Sequence, residues 1–120
     1  MLEIQERLTG GYEKLREKYP DIHITEALDR GEAVGFIAYS YEGEYTAVYD
    51  YSCSDLMLCD GLVRSVMLKS CMKGISAMHF ELADKEKYAP LVKLRFLSEG
   101  SNVCKDLDSF MNACEHCSNK

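Results

Sequence analysis

"YSCSDLMLCDGLVRSVMLKSCMKGI", residues 51–75, decides how the chain is read. Its first residues close an aromatic, strand-like run. The remainder carries two adjacent apolar rows at helical spacing: Leu58, Leu62 and Val66 recur every four residues, as do Cys59, Val63, Met67 and Cys71. Gly74 stands where a helix ends on a left-handed residue. The stretch therefore predicts a strand turning directly into a long helix. The first amides of such a helix have no intrahelical partner, so the junction is a natural seat for a phosphate. Here aspartates and a cysteine stand where glycines would let a phosphate approach.

Upstream, residues 33–41 (AVGFIAYSY) and 45–51 (YTAVYDY) are rich in β-branched and aromatic types, joined by EGE at 42–44 with Gly43 free to take positive φ. Residues 23–28 (HITEAL) meet the first of these through the turn DRGE, 29–32, which gives a three-stranded meander. In residues 2–19, Ile4, Leu8, Tyr12, Leu15 and Tyr19 are spaced as one helical face, ended by Pro20. Gly10 and Gly11 each cost a helix about 1 kcal/mol, which keeps two short helices as the alternative. Downstream, residues 75–82 (ISAMHFEL) read as a strand crossing over to lie beside 45–51. Asp84 caps a second helix carrying Tyr88, Leu91, Leu94 and Phe96, with Pro90 delaying its start, and residues 105–114 form a short terminal helix. The expected fold is mixed α+β (α/β): a central, mostly antiparallel sheet flanked by helices, in one domain over 1–120 with its core at 22–97 and an extension at 98–120.

With 120 residues, 47% hydrophobic and 28% charged, the chain reads as a soluble globular protein. The net charge of −6 and scattered basic residues argue against nucleic acid, which needs a basic face. No apolar run approaches the roughly 18 residues of a spanning helix, so no membrane partner is expected. The charged start is unlike a signal peptide, making a cytoplasmic location the expectation, with the six cysteines as free thiols.

The order of elements, with EAVGFIAYSYEGEYTAVYDYSC (32–53) leading into a helix that closes on KGI (73–75) and then a strand, resembles the GNAT acetyltransferase superfamily. LVKLRFL, 91–97, looks like that superfamily's closing signature, with Arg95 at its glycine. The resemblance implies acetyl-CoA or a related acyl-CoA beside residues 53–64, held by Tyr51, Cys53, Met57, Leu58, Cys59, Asp60, Gly61 and Arg64, with an acyl group passed to an amine. The acyl-CoA loop falls on SDLMLC, 54–59. Met57 and Cys59 fill its glycine positions, Ser54 its basic one, while Asp55 and Asp60 bring negative charge to the positive helix end. The general acid, a tyrosine in the family, aligns with Leu91, and Tyr88 one turn earlier is its substitute. Glu44, Asp50 and Glu81 are candidate bases, so the catalytic set is Tyr88, Glu81 and Asp50.

Other clusters have plainer readings. CEHC, 114–117, could supply half of a zinc site or a redox dithiol, but a structural tail is preferred. His79 reads as a packed strand residue and His23 as a surface one. Tyr39, Tyr41, Tyr45, Tyr49 and Tyr51 alternate on paired strands, where cross-strand packing explains them. Arg64 and Lys69 belong to a solvated helix face. The same hairpin and the terminal helix would also serve a homodimer or a partner protein, a non-catalytic alternative. A metal or thiol sensor at Cys114 and Cys117 is the third.

Overall fold

The alternating residues 23–53 build the centre of the molecule. In the computed structural model, which describes residues 2–7, 10–105 and 107, β2 (His23–Asp29), β3 (Glu32–Tyr41) and β4 (Thr46–Cys53) form the expected antiparallel meander. Helix α2 (Leu56–Met72) leaves β4 and returns the chain to β5 (Ala77–Phe80), which lies parallel to β4. A 3₁₀ turn (Lys85–Lys87), helix α3 (Tyr88–Lys93) and β6 (Val103–Lys105), antiparallel to β5, complete the core. This is the expected mixed α+β architecture.

The N-terminal reading is corrected. Residues 2–7 form a strand, β1 (Leu2–Arg7), antiparallel to β2, and only Glu13–Lys18 (α1) is helical. The break lies at Gly10, Gly11 and Tyr12, all left-handed (φ 74°, 69° and 57°), which an α-helix cannot accommodate in succession. Tyr12, Leu15 and Tyr19 still share one face, packed on Ile22, Ile24 and Ala38. The sheet order β1-β2-β3-β4-β5-β6 thus takes in strands on both sides of 22–97. Of the expected terminal helix, Lys105 belongs to β6, Leu107 is buried, and residues 108–114 lie outside the described residues. No helix among the described residues is long and apolar enough to cross a membrane.

A nearly buried carboxylate, Glu26 (5% exposed), anchors the irregular segment before α1. It accepts from the Tyr12 hydroxyl at 2.6 Å and pairs with Arg7 at 3.4 Å, while Arg7 also donates to the Gly10 carbonyl. Burial, then the hydrogen bond to Glu26 and its negative charge, push the Tyr12 hydroxyl up from about 10 to about 12. A pKa raised in the folded state contributes stability that is intact below the unfolded value and lost as pH rises through the folded one. Wild-type protein is therefore expected to lose stability between pH 10 and 12 in denaturant titrations. Tyr12→Phe should be less stable at pH 7 yet show a shallower loss across that window; parallel pH profiles would refute the assignment.

α2 packs its apolar rows (Leu58, Leu62, Val63, Val66 and Met67) on Ile37, Tyr39, Val48, Met78 and Phe80 of the sheet. Each such side chain contributes roughly 1.5–3 kcal/mol on full burial. The helix ends as Gly74 predicts: with Gly74 at φ 79°, the Ile75 amide reaches the Ser70 carbonyl and the Gly74 amide that of Cys71. Two polar contacts, one of them buried, fix its pitch on the sheet. Thr46 meets Ser70 at 2.7 Å, and Lys69 donates to Thr25, whose hydroxyl meets that of Tyr39 at 2.8 Å. Lys69 also pairs with Glu6 of β1, so it is an inter-element tie rather than part of a free solvated face.

Candidate functional site

β4 and β5 pair only from Thr46↔Met78 to Val48↔Phe80, with one further rung from the Glu81 amide to the Val48 carbonyl. β4 runs on to Cys53, paired with β3 alone, so a fork opens beside Tyr49–Cys53. A register shift between Ala38 and Tyr39 leaves Tyr49 as the extra residue of β4, a bulge at the root of the fork. The α3 approach spans the opening. The Lys87 ammonium donates to the Tyr51 carbonyl at 2.8 Å and the Asp50 carboxylate at 2.6 Å, and the Tyr51 hydroxyl donates back to the Lys87 carbonyl. Tyr88 donates to the Phe80 carbonyl at 2.8 Å and accepts from the Leu82 amide at 3.0 Å.

Two thiols lie at the base of β4 and α2. The Cys53 thiol hydrogen-bonds the Cys59 sulfur, which favours the Cys59 thiolate and pulls that pKa down against the effect of burial. The same bond, with burial, holds the Cys53 proton on. Burial and both sulfurs also push the Tyr51 hydroxyl well up.

The predicted site residues thus fall into three groups. Asp50, Tyr51, Cys53 and Cys59 meet at the fork, with Tyr88 across it and Glu81 exposed at the end of β5. Met57, Leu58 and Gly61 line a groove of about 370 Å³ on the β1 side of α2. Asp60 and Arg64 pair with each other at 3.1 Å, and Arg64 lies over the Phe96 ring. Sequence reasoning missed Lys87, and no local pattern marks it. His79 stacks on Tyr45 at 3.9 Å, as a packed strand residue does. His23 is no simple surface residue: it bonds Glu6 at 2.9 Å and packs against Tyr39 and Tyr41. Among the described residues no three His, Cys, Asp or Glu side chains cluster to hold a metal, and Cys114 and Cys117 lie outside them.

No family model matches the chain, and no curated protein does. Solved structures do match, and the shared feature is the GNAT acetyltransferase fold. A GNAT family acetyltransferase from Elizabethkingia anophelis with acetyl-CoA bound superposes with a TM-score of 0.63 at 12% identity, over 78% of this chain and 74% of that one. The PaiA N-acetyltransferase from Thermoplasma acidophilum, in complex with coenzyme A, gives 0.58 at 16% identity, over 76% and 65%. The ribosomal-protein-S18-alanine N-acetyltransferase from Escherichia coli gives 0.57 at 10%, over 78% and 76%. At these identities the likeness is one of fold, and on that ground the chain has the GNAT fold.

An acyl-CoA fits this chain at one end and not at the other. At the α2 start the Asp55 carboxylate already accepts from the Leu58 amide at 2.8 Å, and its carbonyl takes the Cys59 amide. A diphosphate there would displace or face a fixed negative charge, with Met57 projecting where a glycine would be needed. The turn does not fit it. The fork edge of β4 suits an extended amide chain better: no strand among the described residues pairs there, and its Tyr51 carbonyl and amide are met only by the side chains of Lys87 and Asp50.

Proposed function

We propose that this protein is an acyltransferase-like protein that takes the arm of an acyl thioester into the β4–β5 fork and passes the acyl group to an amine. The observation that carries the reading is the open β4 edge at Tyr49–Cys53 in a GNAT fold, where backbone amides and carbonyls can align an extended ligand. The thioester would supply the activated acyl group; the chain's residues position it and move the proton. Lys87 swings from the Tyr51 carbonyl to admit the arm. Glu81, exposed at the end of β5, takes the proton of the incoming amine as its nitrogen bonds the acyl carbon; the C–S bond then breaks and the thiolate leaves, taking its proton from solvent. Asp50 is held by Lys87, and the Tyr88 hydroxyl is engaged by the Phe80 carbonyl and the Leu82 amide, so Tyr88 serves to shape the fork.

Calorimetric titration with acetyl-CoA and with acetyl-pantetheine tests the arm-first grip. The two are expected to bind with affinities within about threefold, less than 1 kcal/mol apart. A strong preference for acetyl-CoA would place a diphosphate grip back at α2. No heat from either at millimolar concentration would remove the thioester altogether. The absence of binding would favour the non-catalytic reading, which the reciprocal Lys87–Tyr51 contacts across the fork support.

A further inference from the structure

Acyl transfer in the fork leaves the two thiols at its base unused. Cys53 is the last residue of β4, and Cys59 stands in the first turn of α2. The loop between them is pinned at both ends: Cys53 pairs with Gly35 of β3, and the Asp55 carboxylate caps the Leu58 amide. The two sulfurs meet across that loop in a hydrogen bond from the Cys53 thiol. Their surroundings differ. Cys53 is partly exposed, whereas Cys59 is 2% exposed in the core with Tyr51, Leu58 and Leu62. A small reagent can therefore reach one sulfur while the other waits behind it, shielded from water.

We infer that Cys53 and Cys59 are a peroxide-reactive dithiol, in which Cys53 meets hydrogen peroxide and Cys59 closes the product to a disulfide between β4 and α2. The Cys59 sulfur, favoured as thiolate by its hydrogen bonds to Cys53 and Tyr51, takes the Cys53 proton as the Cys53 sulfur attacks a peroxide oxygen. An S–O bond forms, the O–O bond breaks, and the departing hydroxide takes that proton from Cys59 to become water. The Cys59 thiolate then attacks the Cys53 sulfenic acid; the S–S bond forms, the S–O bond breaks, and the second hydroxide is protonated by solvent. Two thiols are oxidised to one disulfide, and one peroxide is reduced to two waters. A disulfide needs the sulfurs at about 2.05 Å, and a pair already in contact on a pinned loop is prepared for that closure. Cys104, buried and with its thiol pushed up to about 11 by burial, is poorly placed to compete. The inference stands whether or not a thioester enters the fork.

The test exposes the reduced full chain to one equivalent of hydrogen peroxide, blocks remaining thiols with iodoacetamide and digests with trypsin. Cleavage after Arg30 and Arg64 leaves Cys53 and Cys59 together in peptide 31–64, apart from Cys71, Cys104, Cys114 and Cys117. That peptide should be unalkylated, lighter by two hydrogens than its reduced form, and restored by dithiothreitol. Closure should be at least about tenfold faster in the folded protein than in the same chain in urea, because the fold holds the sulfurs together. In Cys59→Ala, which removes both the base and the resolving sulfur, a Cys53 sulfenic acid trapped with dimedone should form at least about tenfold more slowly. In Cys53→Ser, at a partly exposed position, Cys59 should survive the same peroxide as a thiol. Peroxide spent on another cysteine while peptide 31–64 keeps both thiols would overturn the inference. So would Cys53 sulfinic acid beside an alkylated Cys59, or equal closure rates with and without urea.

Discussion

Gly35→Val will lower the urea midpoint by the equivalent of about 3 kcal/mol or more, a large share of the roughly 5–15 kcal/mol that holds a domain of this size. A Cβ at residue 35 would stand 2.8 Å from the Ser52 carbonyl oxygen, 3.1 Å from the Leu58 side chain and 3.3 Å from that of Leu62. The first of these is backbone in β4 and cannot rotate away, so either β4 or the first two turns of α2 must move. Overpacking alone costs about 1–3 kcal/mol, and valine adds two methyl groups to it. Ala33→Val, at an exposed position of the same strand, should stay within about 0.5 kcal/mol of wild type. Equal midpoints for the two variants would mean that the contact of α2 with β3 is looser than this geometry.

Glu81→Gln is the corresponding test of chemistry. If Glu81 takes the amine proton, acyl transfer at pH 7 should fall about 10²-fold, the lower end of what a positioned base supplies. The variant's rate should then climb with pH as the amine sheds its proton unaided. Asp50→Asn should fall less, since that carboxylate already serves Lys87. An unchanged rate in Glu81→Gln, with intact binding of the thioester, would assign proton removal to solvent or to another group.

What could be read from residues alone followed the length and regularity of each signal. The β2–β4 meander and α2 are local patterns of seven to seventeen residues, and Gly74 closed α2 as its position required. β1 was hidden because Ile4, Leu8, Tyr12, Leu15 and Tyr19 fall by chance at helical intervals. Its true period of two extends over only six residues, and the pairing that stabilises it comes from β2, about twenty residues away. β6, with three residues, is shorter than any pattern can resolve. The site shows the same division. Asp55 at the helix start was legible, because N-capping is a local contact. The Lys87 bridge to Asp50 and Tyr51, and the meeting of Ile4, Val34 and Met57, join residues 23 to 53 positions apart, and nothing in their own neighbourhoods announces it.

The closure of the fork by Lys87 sets a timescale. What bars the β4 edge at Tyr51 is two partly exposed side-chain heads, the Lys87 ammonium on its carbonyl and the Asp50 carboxylate on its amide, and releasing them takes changes of rotamer rather than the movement of a loop. Partly exposed side chains reorient in picoseconds to nanoseconds, whereas lids open in microseconds or longer. Guests of modest affinity should therefore come and go quickly. In a titration, the amide resonances of Tyr49–Cys53 should drift smoothly between free and bound positions rather than vanish and reappear. Such a fork samples many candidate ligands per millisecond, and its discrimination rests on how long each one stays.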